Sequence, residues 1–194
     1  MGKLTIMPAE RFTAAIERID AANFADPHGK ELPYSRRMTE HLTRFAPGAS
    51  EALKIAARAQ HIRRWEIPRD SFPMDRKGYL DWRKKLYGFH ADVTGAILRE
   101  VGYDEATIGH VRDLLMKKRL KADPEMQTLE DVICLVFLEH YFDEFMEEHE
   151  YDADKIVNIL RRTWVKMSER GHGAALKLPL SERAKSMVSL ALAT

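Results

Sequence analysis

The sequence predicts an all-α fold. Through most of its 194 residues apolar side chains recur at spacings of three and four, and two-residue alternation is nearly absent. Pro, Gly, Ser and Asp punctuate the periodic stretches where helices start and stop. The expected arrangement is a single domain over residues 1–194, a bundle of about seven or eight helices with no internal repeat.

The first helix runs from about Pro8 to about Phe24, with Phe12, Ile16 and Ile19 on one face, and Pro8 suits a helix start. The second, from about Leu32 to Phe45, buries Met38, Leu42 and Phe45 and stops at Pro47-Gly48. Ser50 caps a third, whose Ala56, Ala57 and Ala59 let a neighbouring backbone approach closely. A long helix from about Asp75 to Val101 carries Trp82, Leu86, Phe89, Val93 and Ile97 near heptad spacing, and Gly102 ends it. A shorter one, about Asp104 to Lys118, runs into basic residues. The most apolar helix follows, roughly Thr128 to His149, then Asp154 to Arg170 closed by Gly171, and a last helix after Ser181.

Apolar residues make up 45% and charged residues 31%, with a formal net charge of +1. Such a balance fits a globular protein and argues against bulk electrostatic binding to duplex DNA or an anionic membrane, so any anion recognition must be local. Met1 to Met7 carries no apolar core of signal-peptide length, nowhere do 18 apolar residues run together, and the single Cys134 forms no internal disulfide. The expected location is the cytoplasm.

Local recognition has one obvious place. In the stretch AARAQHIRRWEIPR, residues 56–69, an Ala-rich helix leads into His61, Arg63, Arg64, Trp65 and, past Pro68, Arg69. Guanidinium forks match phosphate and carboxylate geometry, and loops concentrate function. The plainer alternative bonds these arginines to Glu66, Asp70 and helix carbonyls, with Trp65 as a plug and Arg64 stacked on it. Other basic groups, including Arg36, Arg37, Arg83 and Lys85, read as solvated helix surface.

Asp131 is the second anomaly, because the stripe Leu135, Leu138, Phe142, Phe145 continues backwards onto it. A carboxylate on a buried face must be paired, metal-bound or protonated. Alternatively Thr128 is an N-cap and Asp131 the third residue of a capping box. His90 falls at the edge of an apolar face, either as a hydrogen-bonded core residue or as a ligand. No P-loop, G-x-G-x-x-G, C-x-x-C pair, H-E-x-x-H or G-x-S-x-G is present.

Tyr34-Ser-Arg-Arg-Met, the AARAQHIRRWEIPRDSFPM stretch, FHADVTGAILREVGYD, TLEDVICLVFLEHYFDEF and KMSERGHGAALKLPL together resemble the uncharacterised family named domain of unknown function 4202 over nearly the whole chain. That resemblance implies a family and no activity. A more distant similarity is to HD-domain metal-dependent phosphohydrolases, which implies an HD-like helical domain. Tyr34 falls where their first His would be, Gln60-His61 at the His-Asp pair and Asp131 near the final Asp, so three of four ligand positions depart from the motif. A rearranged set of His61, His90 and Asp131 would still offer a divalent transition metal two imidazoles and a carboxylate.

The function expected on these grounds is a phosphohydrolase-like protein binding an anionic, phosphate- or nucleotide-containing small ligand in a helical pocket. His61 and Asp131 would be catalytic, with Tyr34, Arg37, Gln60, Arg63, Arg64, Trp65 and Arg69 around the ligand. The alternative is a non-catalytic protein holding an anion or an RNA end on the same scaffold, with a base stacked on Trp65.

Overall fold

The computed structural model describes residues 8–149 and 152–193, and among them there are ten α-helices, two short 3-10 turns and no strand. The all-α class is as the periodicity predicts, with more and shorter helices than expected. By compactness the chain divides into two helical units, one running to Arg119 and the other starting at Leu120.

The first unit holds α1 (Pro8–Phe24), α2 (Glu31–Phe45), α3 (Glu51–Arg58), 3-10 turns at Arg64–Glu66 and Arg69–Ser71, α4 (Arg76–Glu100) and α5 (Glu105–Leu115). Local chemistry explains the boundaries. Ser50 accepts from the Leu53 amide, Asp75 from Gly78 and Asp104 from Thr107, each satisfying an amide that a helix start leaves unpaired. The short α3 packs on α1, α2 and α5, and Ile55, Ala56, Ala57 and Ala59 are fully buried there. Small side chains on three sides allow this close packing, and they place the C-terminal end of α3, where His61 follows, in the interior of the unit. Arg58 completes this junction by gripping Asp20 of α1 with Nε and Nη2, both at 2.6 Å.

The second unit holds α6 (Pro124–His140), α7 (Phe142–Glu148), α8 (Ala153–Lys166), α9 (Glu169–Ala175) and α10 (Glu182–Leu192). Three expectations are corrected here, the first being that the stretch from Thr128 to His149 is two helices, α6 and α7, broken at Tyr141. The apolar helix starts four residues before Thr128, because Asp123 caps it by accepting from the Glu125 and Met126 amides. Asp131 is therefore mid-helix and the capping-box reading falls. The Asp154 to Arg170 helix is two helices, broken at Met167, and Gly171 lies inside α9 instead of closing its predecessor. No described helix is long and apolar enough to cross a membrane.

Candidate functional site

Past the end of α3 the backbone takes a left-handed step at Arg63, φ 52°. Few residues other than glycine adopt this conformation, and here the Arg63 amide is held by the Asn23 side-chain oxygen at 3.2 Å. The step turns the chain into the Arg64–Glu66 turn. A cleft of about 270 Å³ opens beside it, lined by Lys30, Glu31, Arg64, Trp65, Arg69 and Trp82. Asp26 and His28 also line it. Asp26 is committed to the backbone, accepting from the amides of His28, Lys30 and Glu31 and so fixing the entry to α2.

The three loop arginines have different duties. Arg63 pairs with Glu66 at 2.5 Å. Arg69 spends its guanidinium on the backbone, donating to the carbonyls of Phe72, Pro73 and Asp75. Arg64 has no ion-pair partner among the described residues; its Nη1 lies 3.3 Å and 3.4 Å from the two ring nitrogens of His61, and its guanidinium sits 5.0 Å over Trp82. The expected stacking partner was Trp65, but the ring beneath Arg64 is that of Trp82, which Ile67 anchors by accepting from its indole N–H at 2.8 Å. Trp65 is half-buried.

His61 lies flat on Tyr34, with ring centroids 3.9 Å apart and planes 9° from parallel, and its Nδ1 is 3.5 Å from a carboxylate oxygen of Glu31. Burial holds the imidazole well below its ordinary pKa, and the positive charges of Arg64, His90, Arg83 and Lys117 push it the same way. His90, with its ring centroid 6.2 Å from that of His61, has its Nδ1 2.8 Å from the Ile62 carbonyl, so Nδ1 carries the proton. Burial lowers its pKa to about 4, opposed by that hydrogen bond and assisted by Arg64 and Arg83. Glu31 is shifted in the opposite sense: burial raises its carboxyl to about 7, against the pull of Arg64 and Lys30. The wall of the cleft thus carries a carboxyl that titrates near neutrality and a fixed guanidinium, and His61 lies against both.

Gln60 is buried and its side-chain oxygen has no partner among the described residues. Arg37 is half-buried on α2. Asp131 lies in the second unit, 2% exposed, and both its carboxylate oxygens are engaged. One accepts from the Ser168 amide at 2.7 Å and from Gln127 at 3.1 Å, the other from the Ser168 hydroxyl at 2.5 Å. Buried carboxylates need partners, and this one finds them at the start of α9.

These surroundings do not suit a divalent cation at His61, His90 and Asp131. The His90 Nδ1 and both Asp131 oxygens already have hydrogen-bond partners, and the Arg64 guanidinium stands against both ring nitrogens of His61. Among the described residues, no set of three His, Cys, Asp or Glu donors within 4.8 Å of one another includes any of the three.

Lys30, Glu31, Trp82 and Arg83 are the groups that sequence reasoning missed. Glu31 falls just before the expected start of the second helix at Leu32, Trp82 reads as a member of the apolar stripe and Arg83 as surface charge. Only the i, i+4 spacing of Tyr79, Arg83 and Tyr87 could have marked the last of these.

A family model described as Domain of unknown function (DUF4202) matches residues 13–188 of the chain. No curated protein matches, and no solved structure does.

Proposed function

The chain belongs to the DUF4202 family, and from that premise we propose that its first unit binds a phosphate-bearing small ligand in the cleft beside Trp65. The observation that carries the reading is Arg64: a guanidinium lining a cleft of about 270 Å³, held over Trp82 at 5.0 Å, and without a carboxylate in ion-pair contact among the described residues. A half-buried guanidinium with no carboxylate in contact favours an anion from outside. Lys30 adds a second cation at the cleft wall, and the half-buried Trp65 offers a face on which a nucleobase stacks. The buried thiol of Cys134 suits a cytoplasmic setting.

The test is titration of the protein with orthophosphate and adenosine monophosphate, followed by calorimetry and tryptophan fluorescence. Binding that weakens by about tenfold or more in Arg64→Gln supports the proposal, since a charge-assisted hydrogen-bond pair is worth about 1.5–3 kcal/mol. Unchanged affinity in that variant overturns it. A dinucleotide that binds much more tightly than the mononucleotide would shift the ligand to an RNA end.

A hydrolytic reading, with the helices as an HD-like scaffold, has one observation in its favour. Glu31 lines the cleft next to Arg64 with its carboxyl raised to about 7, the range in which a general acid or base is most effective at neutral pH. Phosphate release from a nucleotide panel that disappears in Glu31→Gln while binding persists supports this reading. It requires Glu31 in place of Asp131 as the carboxyl partner of His61.

A further inference from the structure

The cations around His61 continue beyond the cleft. Arg83, half-buried on α4, donates from Nη1 to the Tyr79 hydroxyl at 3.2 Å and from Nη2 to the Tyr87 hydroxyl at 2.7 Å. The three residues stand four apart, so one face of α4 presents a guanidinium between two phenols. Each phenol oxygen accepts from Arg83, which leaves its own O–H free to donate outward. Lys117 lies 5.6 Å over the Tyr87 ring. The ring of Tyr79 is 5.9 Å from that of Trp82, on which Arg64 sits. Aromatic rings therefore connect Arg64 to Arg83 and on to Lys117.

The two guanidiniums of this row are not matched by a carboxylate in contact among the described residues. No ion pair is formed by Arg64 or Arg83 among the described residues, and the acid nearest His61 is Glu31. Arg64 lies 3.3 Å from a ring nitrogen of His61, and Arg83 stands one residue after Trp82, the ring under Arg64, with its guanidinium on the Tyr79 and Tyr87 hydroxyls. Two guanidiniums connected through the rings of Trp82 and Tyr79, with phenolic donors beside the second, match an anion whose charge is spread over more than one centre.

We infer that the ligand carries at least two linked phosphoryl groups, one taken by Arg64 at the cleft and the next by Arg83 with the hydroxyls of Tyr79 and Tyr87. This inference rests on the proposed phosphate site and extends it to a substrate class: inorganic pyrophosphate or a nucleoside diphosphate. Pyrophosphate and adenosine diphosphate share the chemistry that Arg83 reads, and only the diphosphate nucleoside can also use Trp65.

The experiment is calorimetric titration of the full chain with orthophosphate, pyrophosphate, adenosine monophosphate and adenosine diphosphate. Pyrophosphate should bind about tenfold more tightly than orthophosphate, as should the diphosphate over the monophosphate, because a second charge-assisted contact is added. Arg83→Gln should bring both ratios close to one and leave orthophosphate binding intact. The paired variant Tyr79→Phe, Tyr87→Phe keeps the rings and should reduce the ratios severalfold, which decides the matter if Arg83→Gln melts early. Ratios unchanged in both variants, or near one in the native protein, overturn the inference while leaving an Arg64-dependent phosphate site standing. Loss of Arg64 dependence instead overturns that site itself.

Discussion

Asp131 closes on Ser168 from both sides, one carboxylate oxygen 2.7 Å from the Ser168 amide and the other 2.5 Å from its hydroxyl. The same hydroxyl accepts from the Gly171 amide at 3.1 Å, so a carboxylate on α6 holds the cap of α9. Gly171 packs onto that carboxylate so tightly that an added Cβ would meet its Oδ1 at 2.6 Å. Asp131→Ala should therefore destabilise the protein by about 2–4 kcal/mol, by stripping partners from buried donors. Gly171→Ala should cost about 1–3 kcal/mol by overpacking. Chemical denaturation measures both. Asp131→Ala unfolding at the native midpoint would remove the structural role assigned to this carboxylate.

Arg69 and Arg64 should separate in stability and binding. Arg69 holds three loop carbonyls, so Arg69→Ala is expected to lower stability by about 1–3 kcal/mol. Arg64 contributes a cation–π contact with Trp82, and Arg64→Gln should cost no more than about 1 kcal/mol. Thermal melts of the two variants check this difference, and phosphate titration should show the reverse order of importance for Arg64.

The buried carboxyl of Glu31 makes stability depend on pH. Its pKa is about 7 in the fold against 4.5 without it, so the native state binds the proton more tightly and stability is lost as pH rises from about 4.5 through 7. The loss amounts to at most about 3 kcal/mol. Glu31→Gln lacks this titration, so its stability relative to the native protein should increase between pH 5 and pH 8, by up to about 3 kcal/mol. Urea melts at the two pH values measure the change, and a constant difference would contradict the raised carboxyl.

His90 acts on the acid side. With a folded pKa of about 4 against 6.5, the unfolded chain takes up the proton first. The contribution of His90 is complete above pH 6.5 and lost as pH falls toward 4, by up to about 3 kcal/mol. In a histidine-resolved NMR titration, the ring of His90 should remain neutral, protonated at Nδ1, through pH 5.

Much of the helical layout was legible because helix boundaries are local events. Ser50, Asp75, Asp104 and Ser181 each accept from an amide two or three residues into the helix they open, and Pro8 begins α1 as its residue type suggests. Reading failed where two local signals competed. Thr128 and Asp131 have the spacing of a capping box, but Asp123-Pro124 starts the helix earlier, and the Thr128 hydroxyl donates back to the Pro124 carbonyl at 2.8 Å. Ser168 caps α9 within a stretch whose periodicity reads as one continuous helix.

At the candidate site, composition pointed to a loop rich in guanidiniums and could not divide its arginines. Arg63, Arg64 and Arg69 are alike in sequence, and each one's duty is set by what lies within reach: a carboxylate three residues on for Arg63, backbone carbonyls for Arg69, the rings of His61 and Trp82 for Arg64.

The sequence by itself determined that the chain is helical, where most helices begin, and which loop concentrates guanidinium groups, because caps, periodicity and residue type act over a few residues. Tertiary structure alone decided that Asp131 serves Ser168, that Glu31 stands beside His61, and that Arg64 rests on the rings of His61 and Trp82 at the cleft. Those outcomes depend on burial and on partners brought from distant positions, and the energy of a buried charge is set by what surrounds it in space.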